Sequence, residues 1–121
     1  MRAKYRMLAV AATMGLGAVQ PALASTIEIT LPGETEVGDI DATYDCGDFT
    51  LEAHYINSGD VSLATLAWQE QFAVASEVIS GSGARYAAGP YIWWVKGDTA
   101  TLYDSFKGPD DPGIACKTTT P

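Results

Sequence analysis

Histidine is almost missing from this 121-residue chain: there is one, His54, and only two cysteines accompany it. A zinc site draws three or four ligands from such side chains, so zinc is not expected here. Nucleophilic catalysis is equally short of material, because nothing marks a serine or an aspartate as the partner of His54. A calcium ion would have to be held by carboxylates alone. Asp39, Asp41, Asp45 and Asp48, or Asp110 and Asp111, are close in sequence but lack the spacing of an EF-hand loop and read as solvated acidic turns. Carboxylates are abundant enough for a glycosidase pair, yet abundance is not a pattern, and a domain this small leaves little room for a long glycan cleft. No enzyme, no metal and no cofactor is expected.

Positive charge is scarce too. Seven Lys and Arg face fifteen Asp and Glu, for a net charge of −8 at neutral pH. Three of the seven, Arg2, Lys4 and Arg6, sit in MRAKYR, which is followed by the apolar MLAVAATMGLGAV and then Ala22-Leu23-Ala24. That order of basic region, apolar core and small-x-small site is a secretory signal peptide, residues 1–24, cut after Ala24. The apolar run falls short of the roughly 20 residues of a membrane-spanning helix, and no second run follows. The residue after the cut is Ser25 and not cysteine, so no lipid anchor is expected and the exported chain should be soluble. Its remaining cations are Arg85, Lys96, Lys107 and Lys117. So acidic a surface suits neither nucleic acid nor anionic lipid and fits a basic protein partner.

Export also decides how Cys46 and Cys116 are read: in an oxidising compartment they form a disulfide by default. It would close a loop of about 70 residues and tie an early strand to the last one.

No helix-length amphipathic stretch is evident. Residues 25–41 mix β-formers with Pro32, Gly33 and Gly38 and read as an arm or an edge strand. From Ala42 to the end at residue 121, short apolar-rich runs are separated by turn residues every 8 to 12 positions or so, the rhythm of an all-β sandwich or barrel. Phe49, Leu51, Ala53 and Tyr55 alternate with Thr50, Glu52 and His54, so one face of that strand is buried and His54 lies on the other. Asn57-Ser58-Gly59-Asp60 turns the chain into a second strand, Val61–Ala67. Trp68–Val78 tolerates either helix or strand and is read as strand. Tyr91–Lys96 is apolar on both faces, with Tyr91, Trp93 and Val95 on one and Ile92 and Trp94 on the other. One of those faces must be core; the pattern does not say which.

The stretch SGARYAAGPYIWWVKGD, residues 82–98, holds two of the four late cations. A Gly/Ser loop carrying Ser82 and Arg85, then Lys96 at a strand end, can put hydroxyl and ammonium donors on one rim, where they suit a partner's carboxylate. Ordinary surface pairing with Asp98 or Asp104 is the competing reading.

The same residues carry a family resemblance. Ser82-Gly83-Ala84-Arg85-Tyr86 and Trp94-Val95-Lys96-Gly97-Asp98-Thr99-Ala100-Thr101-Leu102 resemble the S-G-A-R-Y and W-x-K-G-x-x-A-x-L signatures of the periplasmic and membrane-bound inhibitors of c-type lysozyme. Cys46 and Cys116 are placed like that family's single disulfide, so the likeness spans about residues 42–117. It implies a small eight-stranded antiparallel β-barrel with one disulfide and a periplasmic location in a Gram-negative cell. It also implies a basic protein partner, c-type lysozyme, whose catalytic carboxylates meet Ser82 and Lys96, with Gly83, Arg85 and Tyr86 in the same binding block. Two other readings remain open: a small-ligand-binding barrel of the cell envelope, with the Trp93/Trp94 face lining a cavity, and an inhibitor of the cell's own peptidoglycan-lytic enzymes.

Overall fold

The computed structural model describes residues 23–119, so the expected signal peptide lies, up to residue 22, outside the described residues. Residues 23–32 contain neither helix nor strand, and Ile27 and Ile29 among them are exposed. The following unit, from Gly33 onward, holds eight strands: β1 (Gly38–Asp45), β2 (Thr50–Ser58), β3 (Val61–Trp68), β4 (Gln71–Val78), β5 (Ala84–Ala88), β6 (Tyr91–Lys96), β7 (Thr99–Asp104) and β8 (Ile114–Thr118). Each pairs antiparallel with the next, and β1 closes on β8, so the sheet is the all-β barrel that the resemblance implied. A 3-10 turn, Ser105–Lys107, follows β7; the Asp104 carboxylate caps it by accepting from the Phe106 amide at 3.0 Å. β1 begins at Gly38, inside the segment read as an arm or edge strand, and its first residues pair with the end of β2.

Alternation decides what lies inside. Leu51 and Ala53 are buried, Tyr55 is half-buried, and Glu52 is exposed on the opposite face. On β6, where the sequence offers two apolar faces, Trp93 turns inward and is 0% exposed, while Trp94 faces out. The inward choice is made by partners far away in sequence. Tyr44 meets Trp93 edge to face at 4.9 Å, and the Tyr55 hydroxyl accepts from Trp93 Nε1 at 2.9 Å while bonding the Tyr44 hydroxyl at 2.8 Å. An indole N–H buried without such a partner would be costly, so these two tyrosines fix the ring. Trp68 stacks edge to face on Tyr91, and inward alanines at 53, 64, 75 and 100 make room for the rings. The barrel is thus filled by its own side chains, which argues against the cavity that a ligand-binding barrel would need.

Burial raises the Tyr55 phenol well above its ordinary value, and its bond to Tyr44 adds to that against the opposing Trp93 bond. Tyr86 is raised by burial and by the Glu77 carboxylate. In the unfolded chain both ionise near pH 10 or so. Stability is therefore intact below that pH and falls as pH rises through it, because the folded state holds protons that the unfolded state releases. Thermal melts from pH 8 to pH 11 should show Tm falling at the alkaline end. The fall should be shallower in Tyr55→Phe, and an equal slope would contradict the assignment.

The disulfide expected from export is formed. Cys46, just past β1, is bridged to Cys116 of β8 across 70 residues of sequence, and both are buried.

Candidate functional site: one outer face of the barrel

The loop between β4 and β5 is short and internally braced. Ser80 Oγ lies 3.1 Å from both the Ser82 and the Gly83 carbonyl oxygens, and donates to them. Gly83 has a φ of +67°, a left-handed backbone open mainly to glycine. A Cβ there would lie 2.3 Å from the Val95 carbonyl oxygen and 2.9 Å from Lys96 Cγ. The glycine is therefore required twice over, by its backbone angle and by the closeness of β6.

Trp94 completes the attachment. Its Nε1 donates to the Ser82 carbonyl at 2.8 Å, so the outward indole of β6 holds the loop that carries Ser82. The ring is flanked by both cations of the stretch. Arg85 pairs with Trp94 across β5 and β6, its guanidinium carbon 5.6 Å from the ring centroid, and Lys96 Nζ lies 4.5 Å from it. Lys96 reaches the ring because residues two apart on a strand share a face. At exposed sites such contacts are worth about 0.5–1 kcal/mol each, enough to bias the ammonium yet weak enough to release it.

The structure brings Ser82, Gly83, Arg85 and Lys96 together. Ser82 and Lys96 are exposed and Arg85 is half-buried. Among the described residues neither Lys96 nor Arg85 is ion-paired, so the surface pairing with Asp98 or Asp104 is not formed; the close side-chain contact between His54 and Asp41 lies on β2 and β1 instead. Tyr86 of the first signature lies apart from Ser82, Gly83, Arg85 and Lys96. It follows Arg85 on β5, so it points the opposite way, is 6% exposed and lies against Tyr55 in the core. Trp94 heads the second signature block but is not among the binding residues the resemblance implies, although the W-x-K spacing is itself a same-face signal on a strand.

A family model described as membrane-bound lysozyme-inhibitor of c-type lysozyme matches residues 44–111, which include this whole site. A membrane-bound lysozyme inhibitor of C-type lysozyme from Pseudomonas aeruginosa is 46% identical over 95 residues, covering 74% of this chain and 72% of that protein. A protein of the same description from Cupriavidus necator is 44% identical over 62 residues, half of each chain. Among solved structures, Pseudomonas aeruginosa MliC in complex with hen egg white lysozyme is similar with a TM-score of 0.67 and 40% identity, covering 79% of this chain and 98% of that one. With the family model spanning more than half of the sequence and a close relative matched over most of its length, this chain belongs to the family of membrane-bound inhibitors of c-type lysozyme.

Proposed function

We propose that this protein inhibits c-type lysozyme by inserting the Ser82 loop and Lys96 into the enzyme's cleft, against its catalytic carboxylates. The observation that carries the reading is the convergence of Ser82 and Lys96 on one exposed face, both held by Trp94. Lysozyme keeps one cleft carboxylic acid protonated and a second carboxylate ionised. The Lys96 ammonium suits the ionised group, and the Ser82 hydroxyl can donate or accept toward either. Occupying both blocks substrate and upsets the acid/base division of labour, and the inhibitor itself contributes no bond-making step.

The protein acts as an exported, soluble periplasmic protein. The order of basic region, apolar run and small-x-small site at Ala22-Leu23-Ala24 supports the export part of that reading.

The test is a lysis assay with residues 25–121, peptidoglycan-rich cells and a panel of muralytic enzymes: c-type, goose-type and invertebrate-type lysozymes and a lytic transglycosylase. Inhibition confined to the c-type enzyme is expected. Inhibition of the transglycosylase instead would move the target to the cell's own enzymes, and inhibition of none would overturn the reading. In the same assay Gly83→Ala should lose about tenfold or more in potency. The left-handed angle costs an alanine on the order of 1–2 kcal/mol, and the contact with the Val95 carbonyl forces the loop off β6. Full potency for this variant would mean that the loop position is immaterial.

A further inference from the structure

The charges of this chain are segregated between the two halves of the barrel. Outward positions on β1 and β2 carry Asp39, Asp41, Asp45 and Glu52. Outward positions on β5 to β8 carry Arg85, Lys96 and Lys117 and no carboxylate. In a chain with fifteen Asp and Glu against seven Lys and Arg, a run of strand positions with three cations and no acid, bordered by Asp98 in the β6–β7 turn and Asp45 on β1, is a departure from the average surface.

Register sets Lys117 in the same cross-strand row as Lys96. Lys96 is directly opposite Thr99 on β7, and Thr99 is directly opposite Lys117 on β8. With strands about 4.8 Å apart, the two lysines stand in one row roughly 10 Å apart. Both are exposed. The Thr118 amide donates to the Asp98 carbonyl at 2.8 Å, which ties the end of β8 to the turn that follows Lys96. On its far side Lys117 faces Asp45 of β1, and among the described residues the two form no ion pair.

Resting on the inhibitor reading above, we infer that the outer face of β5–β8 is a docking surface wider than the Ser82/Lys96 tip. Lys117 is a further partner-facing cation beside Lys96 and Arg85, and it takes a carboxylate on the lysozyme surface beside the cleft. Two facts argue for that occupant: the face is continuous with the proposed cleft contact, and its charge is complementary to carboxylates while the body of the protein is not.

The sign of a charge change separates this from general attraction between an acidic inhibitor and a basic enzyme. Lys117→Ala and Gln71→Glu each make the protein more negative by one unit, the first on this face and the second at the exposed start of β4. If net charge governed association, both would bind a basic lysozyme faster. The expected result is the opposite for Lys117: stopped-flow and titration at low salt should show Lys117→Ala binding about 3- to 10-fold more weakly and Lys117→Glu about 10- to 100-fold more weakly. Gln71→Glu should be unchanged or faster, and the Lys117 losses should shrink at high salt. Wild-type binding with Lys117→Ala and Lys117→Glu as tight as wild type, both folded by thermal melt, would overturn the wider face and leave the tip contact standing. No binding by the wild type would overturn the inhibitor reading and this inference together.

Discussion

Lys96→Ala is expected to leave the barrel folded while weakening binding to a c-type lysozyme on the order of 30-fold to a few thousand-fold. Removing one partner of a desolvated charge pair costs about 2–5 kcal/mol, because the other charge stays buried without compensation. In the free protein the same side chain is exposed and touches chiefly the face of Trp94, so the loss of stability stays below about 1 kcal/mol. Function and folding therefore separate at this position. Lys96→Arg should recover only part of the loss: a guanidinium stacks well on the indole but presents a broad fork where a compact ammonium fits. Titration against lysozyme, paired with melts of each variant, reads both effects. A Lys96→Ala protein that inhibits like the wild type would remove the ammonium from the mechanism.

The second large effect concerns stability. Replacing Cys46 and Cys116 together by alanine should cost about 4 kcal/mol, the chain-entropy value for a loop of this length. For a domain of this size that corresponds to a Tm lower by about 15–30 °C. The geometry of closure explains why the bridge matters. β1 and β8 share only the register pairs Tyr44–Thr118 and Asp45–Lys117, and Cys46 is the next residue of that short seam. Elsewhere the barrel is held by longer ladders, such as the eight register pairs between β2 and β3. Scanning calorimetry of the wild type with and without reductant, alongside the double variant, measures the term. An unchanged Tm would mean that strand pairing and the Tyr44–Trp93 contact close the barrel without the cross-link.

Most strands were legible because their turns are chemically explicit. The Phe49–Tyr55 alternation and the Asn57–Asp60 turn led directly to β2 and β3. Trp68–Val78 was harder, because the β3–β4 turn is Gln69-Glu70 and carries no glycine, asparagine or proline. Gln69 adopts a φ of +50°, a conformation that its residue type does not announce. The facing of Trp93 was unreadable for a different reason: it depends on Tyr44 and Tyr55, contacts that sequence spacing does not reveal. Within the site, the signature blocks pointed to Ser82, Gly83, Arg85 and Lys96, which the fold gathers onto one face. They also include Tyr86, which alternation sends to the core, and Trp94, whose hold on the Ser82 loop spacing alone does not reveal. Lys117 was visible only as one of four cations, since nothing but the registers of β7 and β8 sets it beside Lys96.

The most direct test is a double-mutant cycle between Lys96→Ala and a lysozyme variant whose ionised catalytic carboxylate is replaced by its amide. Binding is measured for all four combinations. A contact between these two groups predicts a coupling energy of about 1.5–7 kcal/mol, the range for close charge pairs across an interface. Each single change would then weaken binding strongly, and the second would add little to the first. Strictly additive losses, with no coupling beyond about 0.5 kcal/mol, would contradict the account and place Lys96 somewhere other than against the catalytic carboxylate.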